Sequence, residues 1–207
     1  MKGQSQVVSA VIVLLLVSAS LATVLPWGNR IIQKKKDMKS LDDAYNFFII
    51  LDKTIRDVAK NGGEQSLTLD VPGIFEINPD TPSDSGHSYL NNTIQFYFQS
   101  RASNIAQGDW IPLNTPNNET TGVLGIDSPS VIFGRAEMQA NEIDVKYLLW
   151  YRELDDQQGH VYKIVLNTTD NMKKVTTSGF LKIQRLGTDR TTVGGNEVML
   201  TKINIIV

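Results

Sequence analysis

Residues 1–37 read MKGQSQVVSAVIVLLLVSASLATVLPWGNRIIQKKKD, and the fold turns on the apolar run inside this stretch. Val7 to Leu25 is apolar except for Ser9, Ser18, Ser20 and Thr23. As an α-helix rising about 1.5 Å per residue, the run reaches roughly 28 Å, close to the thickness of a bilayer's hydrocarbon core. It presents no polar face, so such a helix requires apolar surroundings on every side. Pro26 comes next. A proline here removes a backbone donor and crowds the preceding turn, which predicts a kink or an end to the first helix. Trp27, Arg30, Lys34, Lys35 and Lys36 then supply the amphipathic ring and long cations that suit a membrane–water boundary.

From about Ile31 the pattern changes to one apolar stripe. Met38, Leu41, Tyr45, Phe48, Leu51, Ile55 and Val58 recur at steps of three and four, the period of a helix with one buried face. Lys39, Asp42, Asp43, Asp52, Lys53, Arg56, Asp57 and Lys60 fall mostly elsewhere. Asn61-Gly62-Gly63 supplies residues that tolerate positive φ and so ends the helix. This half requires only one partner, and its stripe is expected to pack as ordinary core on the chain's own β-rich part.

After Ser66 the period falls to two. The segments SLTLDV (66–71), IFEIN (74–78), NTIQFYFQS (92–100), SVIFG (130–134), VKYLLWYREL (145–154), HVYKIVL (160–166), GFLKIQRL (179–186) and EVMLTKINIIV (197–207) read as strands. Pro72-Gly73 makes a turn between the first two. The fifth and sixth, joined across Asp155-Asp156-Gln157-Gln158-Gly159, read as a hairpin. The fold class expected is α+β: a long hydrophobic-then-amphipathic helix followed by an antiparallel β-sandwich, with an immunoglobulin-like sandwich as one form it can take.

Composition narrows the chemistry. The chain has 207 residues and no cysteine, which excludes disulfides, thiolate metal sites and cysteine nucleophiles. A net charge of −2 gives no reason to expect nucleic acid. His87 and His160 are isolated and read as exposed structural residues. No zinc-protease, nucleophile-elbow or phosphate-loop motif is present. Asp80 and Asp84 lie in a Pro/Ser-rich loop without the calcium-loop pattern and read as a solvated turn. Neither enzymatic activity, cofactor nor metal is expected. Three N-glycosylation sequons begin at Asn91, Asn118 and Asn167, a number chance alone would supply.

Three fates are open to the apolar run. A secretory signal peptide would be cut near Ser20-Leu21-Ala22, giving a chain that starts near Thr23; yet one lysine is a thin n-region and the run exceeds the usual length. A permanent signal anchor would place the C-terminal part on the cytoplasmic side, because the cations follow the run rather than precede it. These two fates give a secreted or single-pass membrane-anchored β-sandwich binding module that does not polymerise. In the third, the run is kept and buried against other copies of itself.

Lys2-Gly3-Gln4-Ser5, placed directly ahead of the uncharged run, resembles the class III signal peptide of archaeal type IV pilin-like proteins. The resemblance extends through Trp27-Gly28, IIQKKKD, the amphipathic helix and the NGG before the strands. It implies a leader of residues 1–3 removed between Gly3 and Gln4 by a prepilin peptidase. It also implies a helix over 4–61, made of a filament-core or membrane segment (4–26) and an amphipathic part (27–61), and a β-rich globular domain over 62–207. Val7, Val11, Leu14, Leu15, Val17, Leu21, Val24 and Leu25 would then form the filament-core face, with Pro26 at the bend. The implied partners are identical subunits in a helical filament and, before assembly, the membrane with its assembly machinery. The carboxylate that bacterial relatives carry early in the mature helix is absent here, its place being taken by Val8, so Gln4 is expected to lose its charge by cyclising to pyroglutamate. The opening also lacks the form associated with archaellins, which favours adhesion over motility. Loops 79–92 and 104–122 would face an adhesion target.

Overall fold

The computed structural model describes residues 2–80, 91–116, 119–140, 142–193 and 195–207, with the backbone alone for 2–7. One helix, α1, runs from Lys2 to Asn61. It does not end at Pro26, which lies inside it. Proline lacks only its own N–H, so the helix loses the bond that the Ala22 carbonyl would accept and continues on either side. The C-terminus closes as the Asn-Gly-Gly signal requires: Gly62 donates to the Val58 carbonyl at 2.9 Å, and Gly62 and Gly63 have φ of 78° and 84°.

Among the described residues twelve strands follow: β1 (Glu64–Leu69), β2 (Ile74–Asn78), β3 (Thr93–Ser100), β4 (Ile111–Pro112), β5 (Thr121–Val123), β6 (Ser130–Gln139), β7 (Glu142–Tyr151), β8 (Glu153–Asp155), β9 (His160–Asn167), β10 (Lys174–Thr176), β11 (Gly179–Val193) and β12 (Asn196–Ile206). They form two six-stranded sheets, ordered β1-β11-β12-β9-β8-β5 and β10-β2-β3-β7-β6-β4. The fold is α+β and the sheets are mostly antiparallel. Two pairings are parallel, β12 with β9 and β5 with β8.

The expected 145–166 hairpin is corrected by the structure. β7 belongs to the second sheet, whereas β8 and β9 belong to the first, so the hairpin proper is only the β8–β9 pair. The chain changes sheets at Arg152, whose backbone N–H is drawn off to the Pro129 carbonyl at 3.0 Å instead of a ladder partner. Asn92 ties the sheets together next to this crossing. Its amide donates to the carbonyls of Tyr151 (3.2 Å) and Ile164 (2.8 Å), and its Oδ1 accepts from the Leu166 N–H (2.7 Å).

The amphipathic half of α1 packs against β1, β11 and β12 of one sheet and β3 and β7 of the other. Leu41, Phe48, Leu51, Ile55 and Val58 are buried here, as the stripe predicts, together with Ala44 and Phe47. Phe48 stacks on Phe75 with ring centroids 5.8 Å apart and meets Phe96 and Tyr147 at 6.5 and 6.0 Å. Leu181, Ile183, Ile203 and Ile205 close the core from the first sheet. Gly73, in the turn before β2, lets the backbone lie on Phe96: a Cβ there would stand 2.1 Å from that ring.

Candidate functional site

From Val11 onward, the side chains that sequence reading singled out in the N-terminal run lie mostly open to solvent. Val11, Leu14, Leu15, Val17, Leu21, Val24 and Leu25 are all more than half exposed, Leu14 at 67%. Trp27 is exposed to the same degree and Ile32 at 52%. A buried face begins at Leu41, which is 0% exposed, while the opposite face stays open, with Ile50 52% exposed. Gly3, Gln4 and Val7 lie within the backbone span of α1. By length and composition the helix is apolar enough to cross a membrane, and none of its apolar window is buried in the fold. Isolated exposed aliphatic side chains are ordinary on proteins, but a continuous apolar surface wrapping a whole helix marks a membrane or an assembly partner.

Sequence chemistry just before Pro26 keeps the helix polar groups satisfied internally. The Ser20 hydroxyl donates to the Leu16 carbonyl at 2.8 Å, and the Thr23 hydroxyl lies 2.9 Å from Ser20 O and 3.3 Å from Ala19 O. Bonded back in this way, the hydroxyls add no outward-pointing donors and the surface stays apolar. The cations begin at Arg30, about one turn past Pro26, and Lys34, Lys35 and Lys36 follow a turn further on, all exposed where the helix nears the β-rich part.

The remaining candidates are scattered. Asn91 precedes β3 and is half-buried; the Thr93 of its sequon is fully buried and its hydroxyl accepts from Asn78 Nδ2 at 3.3 Å. Asn167 closes β9 half-buried, with Thr169 of its sequon exposed. Asn118 falls outside the described residues, as do Asp84 and His87. Asp80 is pinned between the Leu166 carbonyl, which accepts its N–H at 2.9 Å, and Lys163 at 3.3 Å. His160 Nδ1 lies 2.7 Å from Asp156 Oδ2 across the β8–β9 turn. Among the described residues no cluster of three or more His, Asp or Glu is arranged to hold a metal.

Two arrangements were not legible beforehand. The first fixes α1 to the β-rich part. Asp52 is buried on the helix, accepts the Tyr151 hydroxyl at 3.0 Å and pairs with Arg56 Nε at 3.0 Å. Burial pushes the Asp52 carboxyl above its ordinary range, against the opposing pull of Arg56, and burial with the neighbouring Asp52 charge pushes the Tyr151 phenol well up. The second is the 119–128 loop, organised by Arg152. This arginine is 1% exposed; its Nε donates to Ser128 O at 2.9 Å, a terminal nitrogen donates to Glu119 O at 3.3 Å, and the other lies 3.8 Å from Asp127. At the tip of that loop Ile126 is 80% exposed.

The protein is thus defined as an α+β chain that carries an unburied, membrane-length apolar helix on a folded β-rich body. No protein-family model matches it, and neither a curated protein nor a solved structure does so.

Proposed function

We propose that the chain is a structural, non-enzymatic subunit of an extracellular archaeal type IV pilus or adhesion filament, assembled by packing of the N-terminal helices. The observation that carries this reading is the change along one unbroken helix, from exposure on every side over Val8–Leu25 to a buried stripe of Leu41, Ala44, Phe48, Leu51, Ile55 and Val58. A helix built in this way delivers its greasy half away from the body while its other half is locked into the core. Before assembly a bilayer covers that half; afterwards like helices do.

In lipid there is no water to expel, so association depends on close packing, which Ser9, Ala10, Ser18, Ala19, Ser20 and Ala22 permit. Outside the membrane, each fully buried aliphatic side chain contributes about 1.5–3 kcal/mol, which strongly favours the bundle. Prepilin peptidase acting after Gly3 would leave Gln4 as the new N-terminus. The β-rich body would form the outer surface, at the cell exterior.

Electron microscopy of producing cells, labelled with antibody raised to the β-rich part, tests the reading. Label spaced along surface fibres is expected. Label confined to the membrane or the medium, with no fibres, would instead identify an anchored or secreted binding module.

A further inference from the structure

The β-rich body carries an apolar knob at one end and an apolar groove at the other. The knob is Leu124-Gly125-Ile126, with Leu124 41% and Ile126 80% exposed. It is held rigidly: Val123 O accepts the N–H groups of Ile126 (3.2 Å) and Asp127 (2.9 Å), Asp127 Oδ2 accepts from Val123 N (2.8 Å), and Leu124 N donates to Asp155 O (2.8 Å). Gly125 turns the tip at φ 84°. Behind it the buried Arg152 clamps the loop carbonyls. A fully buried guanidinium spent on fixing a loop whose outermost side chain is bare isoleucine orders that isoleucine in advance, which lowers what docking must immobilise.

The groove has a volume of about 580 Å³ and is lined by Ile74, Tyr97, Phe98, Gln99, Val145 and the opposite charges Asp144 and Lys146, beside the side-chain-free Gly73. It exists because β2 begins at Ile74, opposite Tyr97, so β3 runs on past the end of its neighbour. Ile74 is 46% exposed within it.

The register places the two features at opposite poles. Trp150 pairs with Thr93 and Ile143 with Ser100, so the knob beside Arg152 and the groove beside Asp144 lie at the two ends of β7. The helix spans the same interval: Asp37 accepts from Arg101 N at one end, and Asp52 meets Tyr151 at the other. Asp37 to Asp52 rises about 22 Å and Asp144 to Tyr151 about 23 Å. Charge is divided between the same poles. Around the knob, segments 119–128 and 153–159 hold Glu119, Asp127, Glu153, Asp155 and Asp156, against Arg152, which is buried, and Lys163, which lies 3.9 Å from Glu153 and 3.3 Å from Asp80. Below the groove, whose own wall carries one charge of each sign in Asp144 and Lys146, segment 30–39 holds Arg30, Lys34, Lys35, Lys36 and Lys39 against Asp37 alone.

We infer that the knob of one copy seats in the groove of the next, acidic pole to basic pole, as a head-to-tail contact between bodies along the fibre. Two different patches on one chain that fit each other make a heterologous contact, which builds an open helical assembly wherever its rotation does not close into a ring. The inference rests on the filament reading and adds the contact that sets one body against the next.

The chain has no cysteine, so the full-length double variant Ile74→Cys/Ile126→Cys, treated with a short bis-maleimide, reports the contact directly. Both positions are surface ones, and a melt matching the wild type checks folding. Cross-linking is run on surface fibres and on detergent-solubilised membranes, while wild-type cells are imaged in parallel for fibres. The expected result is a ladder of oligomers in the double variant and none in either single variant. Fibres without a ladder would overturn the contact and leave the filament; a ladder without fibres would keep the contact and remove the filament; neither would remove both. Ile126→Asp should lower fibre yield roughly tenfold or more, as loss of a central apolar anchor does, and a wild-type yield would contradict the contact.

Discussion

Asn92 shows how one polar side chain can hold two sheets. It is 2% exposed and adopts φ 60°, where asparagine is tolerated and most residues are strained. Asn92→Ala would leave the Tyr151 and Ile164 carbonyls and the Leu166 N–H without this partner inside the fold. The expected loss is about 3 kcal/mol, from the usual cost of stranded buried polar groups. Urea unfolding of the variant should show a lower midpoint with an unchanged slope. Asp52 makes a prediction of opposite character. Its carboxyl titrates above the unfolded value because burial disfavours the charge. The folded state therefore holds more protons than the unfolded one between about pH 3.9 and the raised value. Stability is fully present below that window and is lost as pH rises through it. Asp52→Asn should flatten this slope in chemical denaturation across the acid range; equal slopes for the two proteins would refute the assignment.

At the scale of elements, α1 is two helices in chemistry and one in backbone. Pro26 forfeits a single hydrogen bond and the helix runs through it. Pro26→Ala restores a donor for the Ala22 carbonyl and should strengthen the helix locally by up to about 3 kcal/mol. Amide exchange at 22–30 in detergent micelles should slow accordingly. Phe48→Ala removes the ring that meets Phe75, Phe96 and Tyr147 and should cost about 3–5 kcal/mol. The stripe containing Phe48 could be read in advance because its period is local, and so could most of the strand segments, although VKYLLWYREL runs β7 and β8 together across the break at Arg152. β4, β5 and β10 could not, being two or three residues long and too short to show a period. The parallel β9–β12 pair escaped for another reason: a ladder partner some forty residues away leaves no trace in either strand's own pattern. Arg152 looked like one more residue of a strand, and only the fold makes it the point where the chain changes sheets. VLGID around Ile126 likewise shows no period of its own, and nothing local tells that a buried arginine fixes it.

For the molecule as a whole, the described fold stands as a body with a bare apolar helix projecting from it, and the filament reading supplies the surroundings that helix requires. A single charge placed there discriminates. Leu15→Arg should abolish fibres while leaving the buried half of α1 and the β-rich body folded, because a cation at mid-span is costly both in lipid and in a helical bundle. Circular dichroism with an unchanged β signal would establish that only assembly was lost. The central claim is that the greasy helix is kept and buried by its copies, and the N-terminal peptide of the chain in surface material tests it most directly. Mass spectrometry should find a mature chain beginning at Gln4, cyclised to pyroglutamate, with Val7 to Leu25 intact. A mature chain beginning at Thr23, or beyond Leu25, would contradict it.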